Sequence, residues 1–183
     1  LTRSGNHDCM SDHDTICALA TAVGGAVAVI RLSGPEAVQV AERVWQGERR
    51  LAEAPARQLL LGRLLGSEGE GIDPQCLAVR MPGPNSYTGE DVVELQCHGG
   101  ALVARLALQA LLRQGARHAE PGEFTRRAFL HGKIDLTQAE AVADLIGANS
   151  QAAVKLADRQ LRGLLGQRIS AVDEQLTAIL AEI

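Results

Sequence analysis

Three residues at alternate positions stand out for chemistry: Glu94, Gln96 and His98, within the stretch Asp91–His98. Side chains alternate along a strand, so these three share one face while Val93, Leu95 and Cys97 share the other. Gly99-Gly100 follows, where backbone can approach a ligand closely. A carboxylate at Glu94 can accept two parallel hydrogen bonds from an amino-heterocycle of the pterin or guanine type. The alternative is an antiparallel strand with one solvated face. Arg31 ends an otherwise apolar run and shares a face with Val27 and Val29. It is either a cation snorkelling at a strand end or a fixed partner for a carboxylate or phosphate. Lys133 is one of two lysines, with Lys155, against sixteen arginines. Such a chain either keeps a compact ammonium where one is needed or retains it by chance. Arg31, Glu94 and Lys133 are the candidate site residues.

Several chemistries are excluded. A phosphate-cradling loop needs Gly-x-x-x-x-Gly-Lys-Ser/Thr. The only Gly-Lys is Gly132-Lys133, followed by Ile134 and with no glycine at the required distance before it. These residues therefore hydrolyse no nucleotide. No Gly-x-Ser-x-Gly elbow occurs either. His7, His118 and His131 lack the spacing of metal ligands, and Cys97 and His98 point to opposite faces, which disfavours a thiol–imidazole pair. Lys and Arg total 18 against 22 Asp and Glu, a net charge of -4. Through Glu120 there are 11 basic and 14 acidic residues, and beyond it 7 and 8. Neither part has the cationic excess of an autonomous nucleic-acid binder. Aromatic residues make up 2% (Trp45, Tyr87, Phe124 and Phe129), so the core is aliphatic and a base-stacking platform is not expected. No apolar run reaches the roughly 18–20 residues that span a bilayer, and no signal-peptide order is visible. The four cysteines, Cys9, Cys17, Cys76 and Cys97, form no Cys-x-x-Cys pair and read as free thiols. A cytoplasmic protein is expected, with no metal site and no membrane partner.

The elements that must position these residues fit a folded chain of 183 residues with 46% hydrophobic and 22% charged side chains. Residues 1–13 read as a leader outside the fold. Thr15–Ala20 and Ala26–Leu32 predict a strand–turn–strand around Gly24-Gly25. Ser33 and Glu36 resemble a capping box, with Pro35 in the first turn, for a helix to about Trp45. Gln58–Leu65 and Gln75–Met81 predict a hairpin around the polar turn 66–74. The stretch 81–90, with two prolines and two glycines, predicts an ordered loop. A strand at Asp91–His98 and a helix at Gly99–Gly115 follow, then a short helix at Glu123–Leu130. Asp135 and Gln138 form a capping box for a helix from Leu136. Residues 150–183 predict one long helix with a heptad-like seam of Leu165, Ile169, Val172, Leu176, Ile179 and Ile183. It meets no stop signal, so a fragment of a longer protein is expected. The fold class is α/β (α+β): a mixed β-sheet with packed helices at 14–133, then the first helices of an all-α domain at 134–183.

Three motifs go beyond pattern: PGPNSYTGEDVVELQCHGG at 82–100, PGEFTRRAFL at 121–130 and GKIDLTQAEA at 132–141. With Asp14-Thr15-Ile16 and IRLSG at 30–34, the chain resembles the amino-terminal region of the tRNA modification GTPase MnmE (TrmE) family. The resemblance implies a domain that binds a tetrahydrofolate derivative (5-formyl or methylene) and forms a homodimer. A helical domain carrying an inserted GTPase domain follows; GTP, Mg and K belong to that GTPase domain. It further implies work with the flavoprotein MnmG on C5 of the wobble uridine of tRNA, a carboxymethylaminomethyl-type modification, with the folate supplying one carbon. By the same resemblance Arg31, Glu94 and Lys133 contact the folate. One segment departs from the family: Ala22-Val23-Gly24-Gly25 stands where Pro-Pro-Gly-Arg-Gly-Gly is usual. Two other readings stay open, a dimerisation scaffold without folate and a free-standing folate-dependent one-carbon transferase.

Overall fold

The computed structural model describes residues 14–163 together with Val172, Thr177 and Leu180. The expected leader lies outside the described residues, as does the seam except for Val172, which is helical and exposed. The chain groups into two compact units, one running to Ser86 with Glu90–Ala119, the other Tyr87–Gly89 with Glu120 onward.

The first unit is built on a seven-stranded sheet. Its strands are β1 (Ile16–Leu19), β2 (Val27–Ser33), β3 (Trp45–Gly47), β4 (Leu60–Leu65), β5 (Gly71–Met81), β6 (Val92–His98) and β7 (Arg117–His118), in the order β3-β4-β5-β6-β2-β1-β7. All neighbours are antiparallel except β1 and β7. The mixed sheet with packed helices is the architecture the sequence predicts. Two helices, α1 (Ala37–Val44) and α2 (Ala101–Arg113), bury their apolar stripes in the core. In α2 the buried Ala104, Ala107 and Leu111 recur at helical spacing, and the small alanines allow close approach to the sheet. Ala28, Ile30 and Leu32 of β2 and Val93, Leu95 and Cys97 of β6 fill the same core. That alternation leaves the opposite face of β2 and β6 open.

The second unit holds α3 (Glu123–Leu130), α4 (Leu136–Gly147) and α5 (Gln151–Leu161). The capping box at α4 forms as the sequence predicts: Gln138 N donates to Asp135 Oδ1 at 2.8 Å, and Asp135 N donates to Gln138 Oε1 at 2.9 Å. Gln138 Nε2 also donates to the Leu161 carbonyl at 2.7 Å, tying α4 to the end of α5.

Two sequence expectations are corrected. The capping box at Ser33–Glu36 does not form. Ser33 is the last residue of β2, and its hydroxyl donates to Glu90 Oε2 at 2.7 Å. Glu36 is the N-cap without a side-chain bond, and its N–H donates to Thr15 Oγ1 at 2.9 Å. The helix ends at Val44 with Trp45 as its C-cap, as the sequence predicts, and Trp45 also opens strand β3. The single helix over 150–183 is interrupted: α5 stops at Leu161, with a turn at Arg162 and Gly163, the latter at φ 70°. Glycine reaches this left-handed conformation at low cost, so a helix closes there naturally.

Candidate functional site

Sheet register assembles the candidate face. Across β2 and β6, Arg31 stands opposite Glu94, Val29 opposite Gln96, and Val27 opposite His98. On the other side of β6, Val79 stands opposite Glu94 and Leu77 opposite Gln96. All point away from the core. The result is a polar row of Glu94, Gln96 and His98 between two apolar margins.

Arg31 and Glu94 form an ion pair. Arg31 Nε donates to Glu94 Oε1 at 2.8 Å, and Nη2 lies 2.7 Å from the same oxygen. Their side chains are 27% and 18% exposed, so water screens the pair only in part. Both arginine contacts fall on Oε1. No hydrogen bond among the described residues reaches Oε2, which therefore retains acceptor capacity. Oε2 can accept a hydrogen bond from a heterocyclic N–H. The free two-oxygen carboxylate expected from sequence is already half engaged.

Lys133 belongs to the second unit, in the turn between α3 and α4. Its N–H donates to the Ala128 carbonyl at 2.9 Å, and its side chain is exposed. The carbon chain of Lys133 lies against Gly89, where an added Cβ would come within 3.3 Å of its Cγ.

A residue that sequence reasoning missed completes the far end of the row. Asp73 of β5, its side chain 1% exposed, receives the His98 N–H at 2.7 Å on Oδ2. Both of its oxygens lie 2.9 Å from His98 Nδ1, and Gln75 N donates to Oδ1 at 3.0 Å. Burial pushes the Asp73 carboxyl up, yet the bonds from His98 and Gln75 outweigh it and hold the group below its ordinary 3.8. In the sequence, Asp73-Pro74 looked like turn chemistry; only the long reach of β5 brings it beside β6.

The segment that departs from the family lies at this same end. Gly24 N donates to the Gly99 carbonyl, and Gly99 N donates to the Ala26 carbonyl at 3.0 Å. A Cβ at Gly99 would meet the Gly25 carbonyl oxygen at 2.0 Å, so this approach requires glycine. Among the described residues, the thiols of Cys17, Cys76 and Cys97 lie in the core. Burial pushes Cys17 and Cys76 up to about 12, and it also raises Cys97.

Two cavities lie elsewhere. One of about 510 Å³ is lined by α1, Trp45, Arg49 and Arg50, and one of about 620 Å³ by Phe129, Leu136 and Ile146. Neither is lined by Arg31, Glu94 or Lys133. Among the described residues, no three His, Cys, Asp or Glu cluster to hold a metal, and no helix is long and apolar enough to cross a membrane.

The sheet, its two core helices and the charged pair on its open face define an α/β module. Residues 15–133 match the family model described as GTP-binding protein TrmE N-terminus, and residues 136–183 match the MnmE helical domain. The chain belongs to the MnmE (TrmE) family. It is 50% identical over 173 residues to the tRNA modification GTPase MnmE of Synechococcus sp. (strain JA-3-3Ab), covering 93% of this chain and 38% of the relative. The MnmE proteins of Symbiobacterium thermophilum and Shouchella clausii are 49% and 42% identical, each over 93% of this chain and over 38% and 37% of their own lengths. The chain thus spans under two-fifths of the length of these relatives.

Proposed function

We propose that this chain is the folate-binding and dimerising part of a tRNA modification GTPase. Its ligand is a reduced folate, 5-formyl- or methylene-tetrahydrofolate, which when bound supplies a one-carbon unit. Glu94 receives the pterin edge through Oε2, and Arg31 holds the Glu94 carboxylate in place through Oε1. Lys133 is the third contact, as the family resemblance implies. The whole protein would act in the cytoplasm with the flavoprotein MnmG at C5 of the tRNA wobble uridine. GTP, Mg and K would belong to its GTPase domain. The division into a folate domain at 14–133 and the start of a helical domain at 134–183 is part of the same proposal.

The observation that carries this reading is the Arg31–Glu94 pair, partly exposed on an open sheet face, with no hydrogen bond among the described residues to Glu94 Oε2. Titration calorimetry with 5-formyltetrahydrofolate tests it. Binding to the unaltered chain supports it, and no heat at millimolar ligand would refute it. A scaffold without folate is the second reading, favoured by the apolar margins of that face, where Val27 is 52% and Leu61 62% exposed. Dimerisation without any folate binding would establish that alternative.

A further inference from the structure

We propose that the cleft beside α1, at the β3 edge of the sheet, binds a phosphate group, free or as the monoester of a small molecule, through Arg43 and Arg49. The site lies within the first unit and does not depend on the folate reading.

The cleft has a volume of about 510 Å³, within the range of small-molecule sites. Helix α1 lines it with Gln39 and Arg43, four residues apart and so on one helix face. Strand β3 contributes Trp45, and the bend after β3 contributes Arg49 and Arg50. Three guanidinium groups from two separate segments thus border one space.

Their charges are not all balanced. Arg50 Nη2 donates to Glu42 Oε2 at 2.9 Å, and Ala52 N donates to Glu42 Oε1 at 3.0 Å. Glu42, the acid that lines the cleft, therefore has both oxygens engaged, and it balances Arg50. Glu48 and Glu53, the neighbouring acids in sequence, do not line the cleft. Arg43 Nη1 donates to the Gln114 carbonyl at 2.7 Å, which steadies the side chain and leaves Nε and Nη2 to donate elsewhere. Arg49 is exposed and has no hydrogen bond or ion pair among the described residues. Arg43 and Arg49 are thus cations in surplus. A phosphate monoester carries about −1.5 to −2 charge at pH 7 and three acceptor oxygens, which suits two guanidinium forks. A second observation agrees. Trp45, 6% exposed, lines the cleft, and its Nε1 is buried without a hydrogen-bond partner. Buried donors are nearly always paired, because an unpaired one is costly. A ligand whose charged end holds only acceptors supplies what the indole and both guanidinium groups lack, and the Gln39 amide can donate to or accept from hydroxyls of an organic remainder.

Trp45 is the chain's single tryptophan, so its fluorescence reports on the cleft. Inorganic phosphate and ribose 5-phosphate are titrated into the full chain at constant ionic strength, with equilibrium dialysis of each ligand alongside. Saturable binding with a change in Trp45 fluorescence is expected, weakened about ten-fold or more in Arg49→Ala, as for a lost charge-assisted hydrogen bond. Because Arg49 is exposed and unbonded among the described residues, that variant keeps the fold, which circular dichroism checks. Arg105→Ala, exposed on α2 and outside the cleft, should bind like the unaltered chain. Tighter binding of ribose 5-phosphate assigns the site to an organic monoester, and affinity no better than that of inorganic phosphate assigns it to the free ion. Absence of saturable binding by both ligands in dialysis overturns the proposal. So does undiminished affinity in Arg49→Ala, or equal weakening in Arg105→Ala, which marks a general effect of net charge.

Discussion

Glu94 accepts both arginine contacts on one oxygen, and that detail sets what the site can do. Arg31 orients the carboxylate through Oε1, and no hydrogen bond among the described residues reaches Oε2. Side-chain alternation placed Glu94, Gln96 and His98 on one face from the sequence alone, because a strand's period of two admits no other arrangement. Their pairing with Arg31 was not legible, since register between β2 and β6 depends on the whole sheet. Asp73 was less legible still: a buried acid is indistinguishable from a turn acid until its partner across β6 is known. Its role predicts a pH effect. The folded-state value of Asp73 lies below 3.8, so its stabilisation is fully present above 3.8 and is lost as pH falls through the lower folded-state value. Asp73→Asn should cost about 1–3 kcal/mol at neutral pH, and urea denaturation at decreasing pH should show the gap to the unaltered chain closing only below 3.8. The core thiols give a second residue-level test. With Cys17 and Cys76 pushed up to about 12 and buried, alkylation followed by mass spectrometry at pH 8 should leave both unmodified until denaturant is added.

Local signals succeeded where the backbone around them was free to obey and failed where tertiary structure had a prior claim. The same cap pattern occurs twice. Asp135 with Gln138 follows a turn, and both reciprocal bonds form. Ser33 with Glu36 follows a strand, and β2 holds Ser33 extended with its hydroxyl on Glu90. Asp135→Ala should therefore destabilise α4 by about 1 kcal/mol, measurable by thermal denaturation followed by circular dichroism. Ser33→Ala should leave α1 intact, because no cap bond is lost there. At the sheet edge, the Trp45 ring lies across Gly62 of β4, where an added Cβ would come within 2.5 Å of the ring and 2.6 Å of the Gln46 carbonyl oxygen. Gly62→Ala should cost about 1–3 kcal/mol by overpacking. The chain's single tryptophan reports the disturbance by fluorescence.

At the scale of the molecule, the family models meet between residues 133 and 136, while the two compact units divide between Ala119 and Glu120. The grouping of Tyr87–Gly89 with the helical unit was not visible, because a loop's side chains do not announce which unit they join. The open face of the first unit carries Val27, Leu61, Leu77 and Val79 around its charged row, more apolar surface than a solvated sheet face needs. A homodimer is the expected state. Sedimentation equilibrium should give twice 19.4 kDa, and a monomer at all micromolar concentrations would remove that expectation. The central claim remains that the Glu94 carboxylate receives a pterin, and titration of 5-formyltetrahydrofolate into the unaltered chain and Glu94→Gln tests it most directly. Saturable binding weakened by about ten-fold or more in the variant is the predicted result; undiminished affinity in Glu94→Gln would contradict it.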